Sequence, residues 1–183
     1  MKGTAAQRRE RGEGRGRPER LERVVQRLSS TRTFARIAPR CVPALDRAVH
    51  RLTGGRTLLS ARLLPGLVLT STGARTGQAR RTPLACMTEG PKGGPPAAWV
   101  LVGSNFGRPG HPAWTANLLA HPEAEISWRG RDVPVRARLL RGAEREAAWK
   151  AVVAFWPPYA RYQARVEREI RLFRLEPRPD GEE

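Results

Sequence analysis

Cysteine, histidine and long apolar runs are scarce in this chain, and each scarcity excludes a class of protein. Cys41 and Cys86 are the only cysteines among 183 residues and form no CxxC pair, so neither a disulfide framework nor a zinc site is expected. The histidines are His50, His111 and His121, without metal-ligand spacing. No run approaches the roughly 20 apolar residues of a transmembrane helix, and the chain start lacks a signal-peptide apolar segment. We therefore expect no metal and a cytoplasmic location.

Motifs of several common enzyme classes are also missing. No GxGxxG follows a strand pattern, and neither a P-loop nor a serine-nucleophile elbow is present. The acidic residues show no paired-carboxylate arrangement for hydrolysis. If the chain is an enzyme, a bound cofactor is expected to supply the chemistry.

Lysine is rare as well, whereas arginine is abundant. The chain has 34 basic and 17 acidic residues, a formal charge of +17, and only Lys2, Lys92 and Lys150 are lysine. The abundance of Arg, Ala, Gly and Pro indicates a GC-rich genome, but the charge still attracts phosphates, polyanions and acidic membrane surfaces. A nucleic-acid-binding protein is one alternative that this charge supports. The dispersed arginines and the lack of a nucleic-acid motif argue against it.

The composition divides the chain into four segments. Residues 1–20 are rich in Arg and Gly, which predicts a disordered basic leader. Residues 21–55 carry apolar side chains at helical spacing between arginines, which predicts an amphipathic helical segment. A folded domain is expected over 56–178, followed by a tail over 179–183. The basic N-terminal part also fits peripheral contact with an anionic membrane, although a leader shaped only by genome composition explains it equally.

From Gly66 onward the pattern changes to short strands separated by turns. Strands are predicted over 66–72, 78–87, 97–103, 124–128, 132–140 and 169–177, and helices over 112–120 and 143–156. Helices and strands do not alternate as they do in βαβ units, so a Rossmann fold is disfavoured. The prediction is an α+β, mainly β fold, built on an antiparallel sheet or barrel with short flanking helices.

The first candidate site is the turn STGARTG at 71–77. Its hydroxyls, glycines and Arg75 lie in a tight turn between strands, where backbone N–H groups and the guanidinium could hold a phosphate or carboxylate. Arg80 and Arg81 follow on the next strand and point to opposite faces by alternation. An ordinary hairpin turn with solvated arginines is the simpler alternative.

The second candidate, SNFGRPGHPAWTANL at 104–118, joins a strand to a helix. A helix beginning near Pro112 offers free N–H groups and the positive end of its dipole to an anion. The Trp114 ring could pack on a flat ligand. The alternative makes Trp114 a core anchor and Asn105 a turn former.

The third candidate is WPPYARYQ at 156–163. Tyr159 and Tyr162 are three residues apart and share a helix face, with Trp156 nearby. Such a cluster could cover an aromatic ligand. Core packing at helical spacing is the alternative.

Together, these motifs resemble the deazaflavin (coenzyme F420)-dependent nitroreductase family. The blocks STGARTGQARRTPL (71–84), GSNFGRPGHPAWTANLLAHP (103–122) and FWPPYARYQ (155–163) follow the family's order, and the match covers roughly residues 60–177. The resemblance implies a split β-barrel of the FMN-binding type that binds 8-hydroxy-5-deazaflavin, with FMN less expected. It also implies hydride transfer from reduced coenzyme F420 to a flat, electron-poor acceptor such as a quinone, an enone or a nitroaromatic.

The resemblance assigns a role to each motif. The residues implied in cofactor binding are Ala74, Arg75, Thr76, Gly77, Gln78, Ala79, Arg80, Pro83, Gly103, Ser104, Asn105, Ala113, Trp114, Thr115 and Asn117. Those on the substrate side are Trp156, Tyr159 and Tyr162. Ser104 or Tyr159 is expected to donate a proton or hydrogen bond to the reduced acceptor, and a homodimer is compatible with a split barrel.

Departures from the family pattern concentrate on the substrate side. Thr115 stands where the family has Tyr, Trp156 replaces the first Tyr of its aromatic triad, and Phe106 stands where Gly is common. These changes put nitroreductase activity in question more than cofactor binding. A non-catalytic carrier of a lipid or flavin on the same barrel is therefore a further alternative.

Overall fold

Short strands, three helices and their connections make up the part of the chain that the computed structural model describes, residues 65–91 and 94–178. The strands are β1 (Gly66–Thr72), β2 (Ala79–Glu89), β3 (Ala98–Val102), β4 (Glu123–Trp128), β5 (Arg131–Leu139) and β6 (Leu172–Pro177). The helices are α1 (Ala113–Ala120), α2 (Gly142–Phe155) and α3 (Pro158–Gln163), and a 3-10 turn covers Asn105–Gly107. The predicted leader (1–20), helical segment (21–55) and tail (179–183) lie outside the described residues.

The strands close into an antiparallel barrel in the order β1-β2-β3-β6-β5-β4, and β4 pairs back to β1. Closure leaves no strand edge unpaired. The prediction of a mainly β, antiparallel fold is confirmed, and the architecture is the split β-barrel that the resemblance implies. Because β1 and β2 pair as far as Thr72 opposite Ala79, the turn that joins them stands at the barrel's end.

Alternation along the strands fills the barrel with apolar side chains. The interior holds Leu67, Leu69, Cys86, Trp99, Leu101, Ile126, Trp128, Val135, Ala137, Phe173 and Leu175. Trp114 and Leu118 of α1 join this core, and the Trp114 ring meets Phe173 edge to face with centroids 5.7 Å apart. Burial raises the pKa of the Cys86 thiol to about 12, so Cys86 acts as a small apolar core residue.

A second apolar cluster covers the outer face of β3 and β6. It joins Val100 and Leu172 to Val152 of α2, Tyr159 of α3 and Trp156 between the two helices. Since β3 also points Trp99 and Leu101 into the barrel, this strand is buried on both faces. Its uninterrupted apolar sequence is the expected pattern for such a strand.

Ion pairs fasten α2 to the barrel. Arg138 donates to both carboxylate oxygens of Glu144, at 2.5 and 2.8 Å, and Arg174 donates to the same carboxylate. Arg174 also binds Glu89 of β2 through two nitrogens, at 2.8 and 3.1 Å. These contacts, with that of Arg138 the largest, lower the pKa of Glu144 to about 2.

The strands and helices predicted between residues 66 and 177 are all present, most with boundaries within one residue of the prediction, and the end of β2 and the start of β6 differ most. β2 continues to Glu89, two residues beyond its predicted end at 87. β6 begins at Leu172 rather than 169. The carbonyl of Arg171 still continues the register with β3, accepting from the N–H of Gly103 at 2.8 Å, but the N–H of Ile170 donates to Gln163 Oε1 at 2.8 Å.

Within the described residues, none of the helices combines the length and the apolar character needed to cross a bilayer.

Candidate functional site

The β1–β2 turn is closed by its own backbone. The N–H of Gly73 donates to the Gln78 carbonyl, and the N–H of Gly77 to the Gly73 carbonyl, each at 2.8 Å. A Cβ added at Gly73 would lie 2.8 Å from Thr76 Oγ1, and Gly77 has a φ of 66°. Glycine is therefore required at both positions, for close approach at one and for left-handed backbone at the other.

The amides of this turn are largely occupied. Besides those of Gly73 and Gly77, the N–H of Thr76 donates to Gly73, that of Gln78 to Thr76 Oγ1, and that of Ala74 to a side chain of α1. Of the six backbone amides from Gly73 to Gln78, only that of Arg75 has no acceptor among the described residues. The donors that this turn presents to solvent are therefore mainly the exposed Arg75 and Arg80 side chains rather than several backbone amides.

Asn117 connects the turn to α1. Its Oδ1 accepts from the N–H of Ala74 at 3.0 Å, and its Nδ2 donates to Oγ of Ser71 at 3.2 Å. Asn117 is 8% exposed and Ser71 2% exposed, so each is a buried polar group that satisfies the other. This contact places the first two sequence motifs side by side.

The beginning of α1 is joined to the end of β3. Thr115 Oγ1 donates to the Pro112 carbonyl at 2.8 Å and accepts from Arg171 Nη1 at 3.2 Å. A Cβ at Gly103 would lie 2.9 Å from Thr115 Cγ2, so this close approach needs glycine. The residues after Gly103 consequently begin at a fixed point beside α1.

The loop from Ser104 to His111 has unusual backbone geometry. Asn105, Phe106 and Gly107 are left-handed in succession, with φ values of 48°, 56° and 73°. Asn105 Nδ2 donates to the Gly110 carbonyl at 2.9 Å, and Arg168 reaches the loop from beyond α3. Left-handed backbone at a bulky residue such as Phe106 persists only where the surroundings impose it.

The aromatic residues of the third motif are buried beside this loop. Trp156, Tyr159 and Tyr162 are 7%, 7% and 3% exposed. Tyr162 meets Phe106 edge to face with centroids 6.3 Å apart, and a Cβ at Gly107 would lie 3.1 Å from Tyr162 Cα. Burial, with Tyr162 nearby, raises the pKa of Tyr159, so its phenol keeps its proton.

The ion pairs of the described residues lie away from the turn and the start of α1. The ion pairs of the described chain join carboxylates to arginines of β5, β6 and α2 and to Arg178. Within the same residues, no carboxylate lies within ion-pair distance of Arg75, Arg80 or Arg171. Arg80 instead donates to Gln78 Oε1 at 3.0 Å. The turn, the loop and the start of α1 thus form a connected, cationic end of the barrel.

The candidate residues differ in exposure. Those on the surface are Ala74, Arg75, Thr76, Gly77, Gln78, Ala79, Arg80 and Ala113; those half-buried are Pro83, Ser104 and Asn105; those buried are Gly103, Trp114, Thr115, Asn117, Trp156, Tyr159 and Tyr162. The Trp114 ring, at 5% exposed, is an anchor of the barrel core. The hydroxyl of Ser104 does not cap the turn that follows it.

Sequence reasoning missed residues that build the site without belonging to a motif. Arg168 and Arg171 bind the loop and α1, yet in the sequence they are two of many arginines. His111 had been interpreted only as one of three scattered histidines, whereas its Nδ1 lies 3.2 Å from Arg168 Nη1. No spacing pattern could have revealed these long-range contacts.

Known proteins are similar to this chain in sequence and in fold. A family profile described as F420H(2)-dependent quinone reductase matches residues 44–177. F420H(2)-dependent quinone reductases of the H37Rv and CDC 1551 strains of Mycobacterium tuberculosis are 33% identical over 132 residues, which cover 69% of this chain and 83% of each relative.

Two solved structures are similar over most of their own length. One, described as a domain-swapped dimer, has a TM-score of 0.56 and 33% identity, and the match covers 71% of this chain and 95% of that one. The other, an F420-H2 dependent reductase, has a TM-score of 0.54 and 36% identity, with coverage of 61% and 94%. The chain therefore belongs to the F420H(2)-dependent quinone reductase family and is a coenzyme F420-dependent oxidoreductase.

Proposed function

We propose that this protein transfers a hydride from reduced coenzyme F420 to a quinone, using the cationic end of the barrel as its cofactor site. The observation that carries the proposal is the set of arginines beside the β1–β2 turn without carboxylate partners among the described residues. Uncompensated charge on a fixed scaffold attracts an anionic ligand. The relatives described as quinone reductases support a quinone as the acceptor.

The donor chemistry of this end fits the coenzyme. Coenzyme F420 carries a phosphate and an acidic tail, and guanidinium groups are the side chains best suited to such oxyanions. Nothing of the described protein lies within 4 Å of a Cβ built at Gly77 or Gly110, which leaves room for a ligand beside the turn and the loop.

Each element has a distinct role in the proposed site. Arg75 and Arg80 would hold the phosphate and tail of the coenzyme, with Thr76, Gly77 and Gln78 forming the turn between them. Gly103, Ser104 and Asn105 would hold its ring system together with Ala113 at the exposed start of α1. The buried Thr115 and Asn117 act by fixing these elements, through their bonds to Pro112 and Ala74. When bound there, the deazaflavin would supply the hydride.

The proposed substrate side combines a polar group with buried aromatic rings. Ser104 Oγ and Tyr159 Oη are the candidate donors of a hydrogen bond or proton to the reduced quinone. Ser104 is half-buried, whereas Tyr159 is 7% exposed inside the outer cluster, so the Ser104 hydroxyl is the more accessible of the two. Trp156 and Tyr162 pack in the same buried cluster as Tyr159 and support its position.

Titration with F420 and with FMN, followed by fluorescence quenching, tests the cofactor assignment. We expect tighter binding of F420, because its longer anionic tail reaches more guanidinium charge than the single FMN phosphate. Turnover of reduced F420 with menadione, a nitroaromatic and an enone then tests the acceptor, and menadione is expected to give the highest kcat/KM.

Two outcomes would contradict the proposal. Tighter binding of FMN would overturn the choice of cofactor. Tight F420 binding without oxidation of the reduced coenzyme by any acceptor would favour a carrier. Ser104→Ala and Tyr159→Phe separate the two candidate donors, and the larger loss of kcat is expected for Ser104→Ala.

Assembly and location follow as further parts of the proposal. The domain-swapped neighbour supports a homodimer, which light scattering tests by the mass in solution. We also propose a cytoplasmic enzyme whose N-terminal part contacts the membrane where quinones dissolve. Residues 1–20 and the helix pattern with Arg20, Arg23 and Arg27 support it, because each arginine near an anionic surface adds about 1 kcal/mol.

Liposome co-sedimentation tests the membrane contact. Full-length protein is expected to sediment with anionic vesicles at low salt and to be released at high salt, whereas a variant that begins at Thr31 stays in solution. F420 affinity is expected to be equal in both. Full-length protein that ignores the vesicles at low salt would contradict the membrane role.

A further inference from the structure

The loop between β3 and α1 is held in a conformation that its sequence does not favour. Asn105, Phe106 and Gly107 all have positive φ, at 48°, 56° and 73°. Glycine adopts such backbone freely and asparagine tolerates it, but phenylalanine does not. Some other group must therefore impose this geometry on Phe106.

Arg168 bonds to the carbonyls on both sides of this left-handed segment. Its Nη1 donates to the Gly103 carbonyl at 3.3 Å, its Nη2 to the Ser104 carbonyl at 2.9 Å, and Nη2 and Nε both to the Arg108 carbonyl, at 3.0 and 3.3 Å. The three acceptors lie immediately before and after the left-handed residues. One rigid guanidinium thus fixes both ends of the strained segment.

The same guanidinium fixes the side chain of His111. Arg168 Nη1 lies 3.2 Å from His111 Nδ1, and because a guanidinium can only donate, Nδ1 must accept. His111 is therefore neutral, with its proton on Nε2. Burial and the neighbouring Arg171 and Arg168 also lower the pKa of His111, which agrees with a neutral ring.

All five N–H groups of the Arg168 guanidinium are accounted for by these contacts, two on Nη1, two on Nη2 and one on Nε. It has no donor left for a ligand. Hydrogen bonds from Arg168 consequently act on the site only through the loop.

We propose that Arg168 is a positioning residue of the deazaflavin site, which holds the loop from Gly103 to His111 so that Ser104, Asn105 and the start of α1 face the cofactor. This inference rests on the cofactor site proposed above. Substitution by lysine separates the geometry of the guanidinium from its charge, because a lysine keeps the charge but concentrates its donors at one point.

Arg168→Lys is the test variant, and Arg174→Lys is its matched control. Arg174 is also half-buried and also binds through several nitrogens, but to Glu89 and Glu144 and away from the loop. We expect both exchanges to lower Tm. Arg168→Lys alone is expected to weaken F420 binding by about tenfold or more and to lower kcat/KM, because small misplacements of binding groups cost up to about 100-fold.

The ring nitrogens of His111 give a readout that is independent of activity. Long-range ¹H–¹⁵N spectra of the protein without cofactor are expected to show one fixed Nε2–H tautomer in the wild type and in Arg174→Lys. In Arg168→Lys the two tautomers are expected to average, because Nδ1 has lost its fixed donor.

Three results would overturn parts of the argument. Wild-type F420 affinity in Arg168→Lys, or equal losses of affinity in both variants, would reduce Arg168 to an ordinary structural residue. An unchanged His111 spectrum in Arg168→Lys would show that the guanidinium does not fix the loop. Wild-type protein that fails to bind F420 would overturn the cofactor site instead, while the His111 spectrum would still decide the role of Arg168 in the loop.

Discussion

Arg138 and Arg174, on the side of the barrel covered by α2, contact carboxylates directly, whereas Arg75 and Arg80 beside the β1–β2 turn have none within ion-pair distance in the described chain. In the first region the arginines form ion pairs within the protein, and these pairs attach a helix to the barrel. In the second region the arginines remain free to bind an anionic ligand. Identical side chains thus differ in role because of what the fold places beside them, and composition alone does not separate the two.

Removing the unpaired arginines should produce the largest effect and test this contrast directly. Arg75→Ala and Arg80→Ala are each expected to weaken F420 binding by about 1.5–3 kcal/mol, the range for hydrogen bonds to charged groups. The loss should shrink as salt rises, because exposed charges are screened. Fluorescence titration at two salt concentrations measures both effects.

Arg136→Ala is the control for these variants. Arg136 is exposed and lies 3.9 Å from Glu123, so its loss should leave F420 affinity unchanged. Wild-type affinity in Arg75→Ala and Arg80→Ala would mean that these are solvated turn residues and that the contrast between the regions has no functional meaning.

Asn117→Ala should weaken the attachment of the β1–β2 turn to α1 and so make the position of Arg75 and Arg80 less fixed. The change leaves the N–H of Ala74 and the buried hydroxyl of Ser71 without their partner, and unsatisfied groups of this kind cost about 1–3 kcal/mol. Urea denaturation measures the stability, and F420 affinity is expected to fall as well. A cycle with Ser71→Ala should reveal coupling between the two residues; strictly additive losses would argue against the contact.

Glu144→Gln should weaken the paired region in a pH-dependent way. The pKa of Glu144 is lowered from 4.5 to about 2, mainly by Arg138, so its stabilising contribution is present above pH 4.5 and lost as the pH falls through about 2. Thermal unfolding across this interval should show the wild type and the variant converging at low pH. The F420 affinity of the variant near neutral pH should equal that of the wild type. A lower affinity would show that the ion pairs beside α2 influence the site at the β1–β2 turn.

The smallest effect is expected from the most exposed pair. Arg136 and Glu123 are 68% and 53% exposed, and surface pairs of this kind contribute about 0–1 kcal/mol. Urea denaturation of Arg136→Ala should therefore give a free energy of unfolding within this margin of the wild type. A larger loss would show that the paired region is more cooperative than its pairwise geometry indicates.

Strand and helix positions were predictable because their signals are local. Period-two alternation and turn residues located β1 through β6 within a few residues, and Pro112 marks the start of α1. The misplaced start of β6 shows the limit of this reasoning. Ile170 looks like a strand residue, but its N–H is taken by Gln163 of α3.

The candidate site was predictable only as a set of motifs. The turn at 71–77 was expected to offer several free amides, whereas the folded turn uses all but that of Arg75 within the described protein. Trp114 was a possible ligand-facing ring and a possible core anchor, and its contact with Phe173 makes it an anchor. Such choices depend on partners far away in the chain.

The sequence by itself determined the barrel class, the order of its elements and the family, because alternation, turn chemistry and motif order are written in neighbouring residues. Tertiary structure alone decided which arginines are neutralised and which are not. The tertiary structure also places Arg168 against the loop and Asn117 against the turn. The physical reason is that a charge or a donor has its effect only through the group opposite it, and that group is brought there by strand pairing and helix packing across dozens of residues.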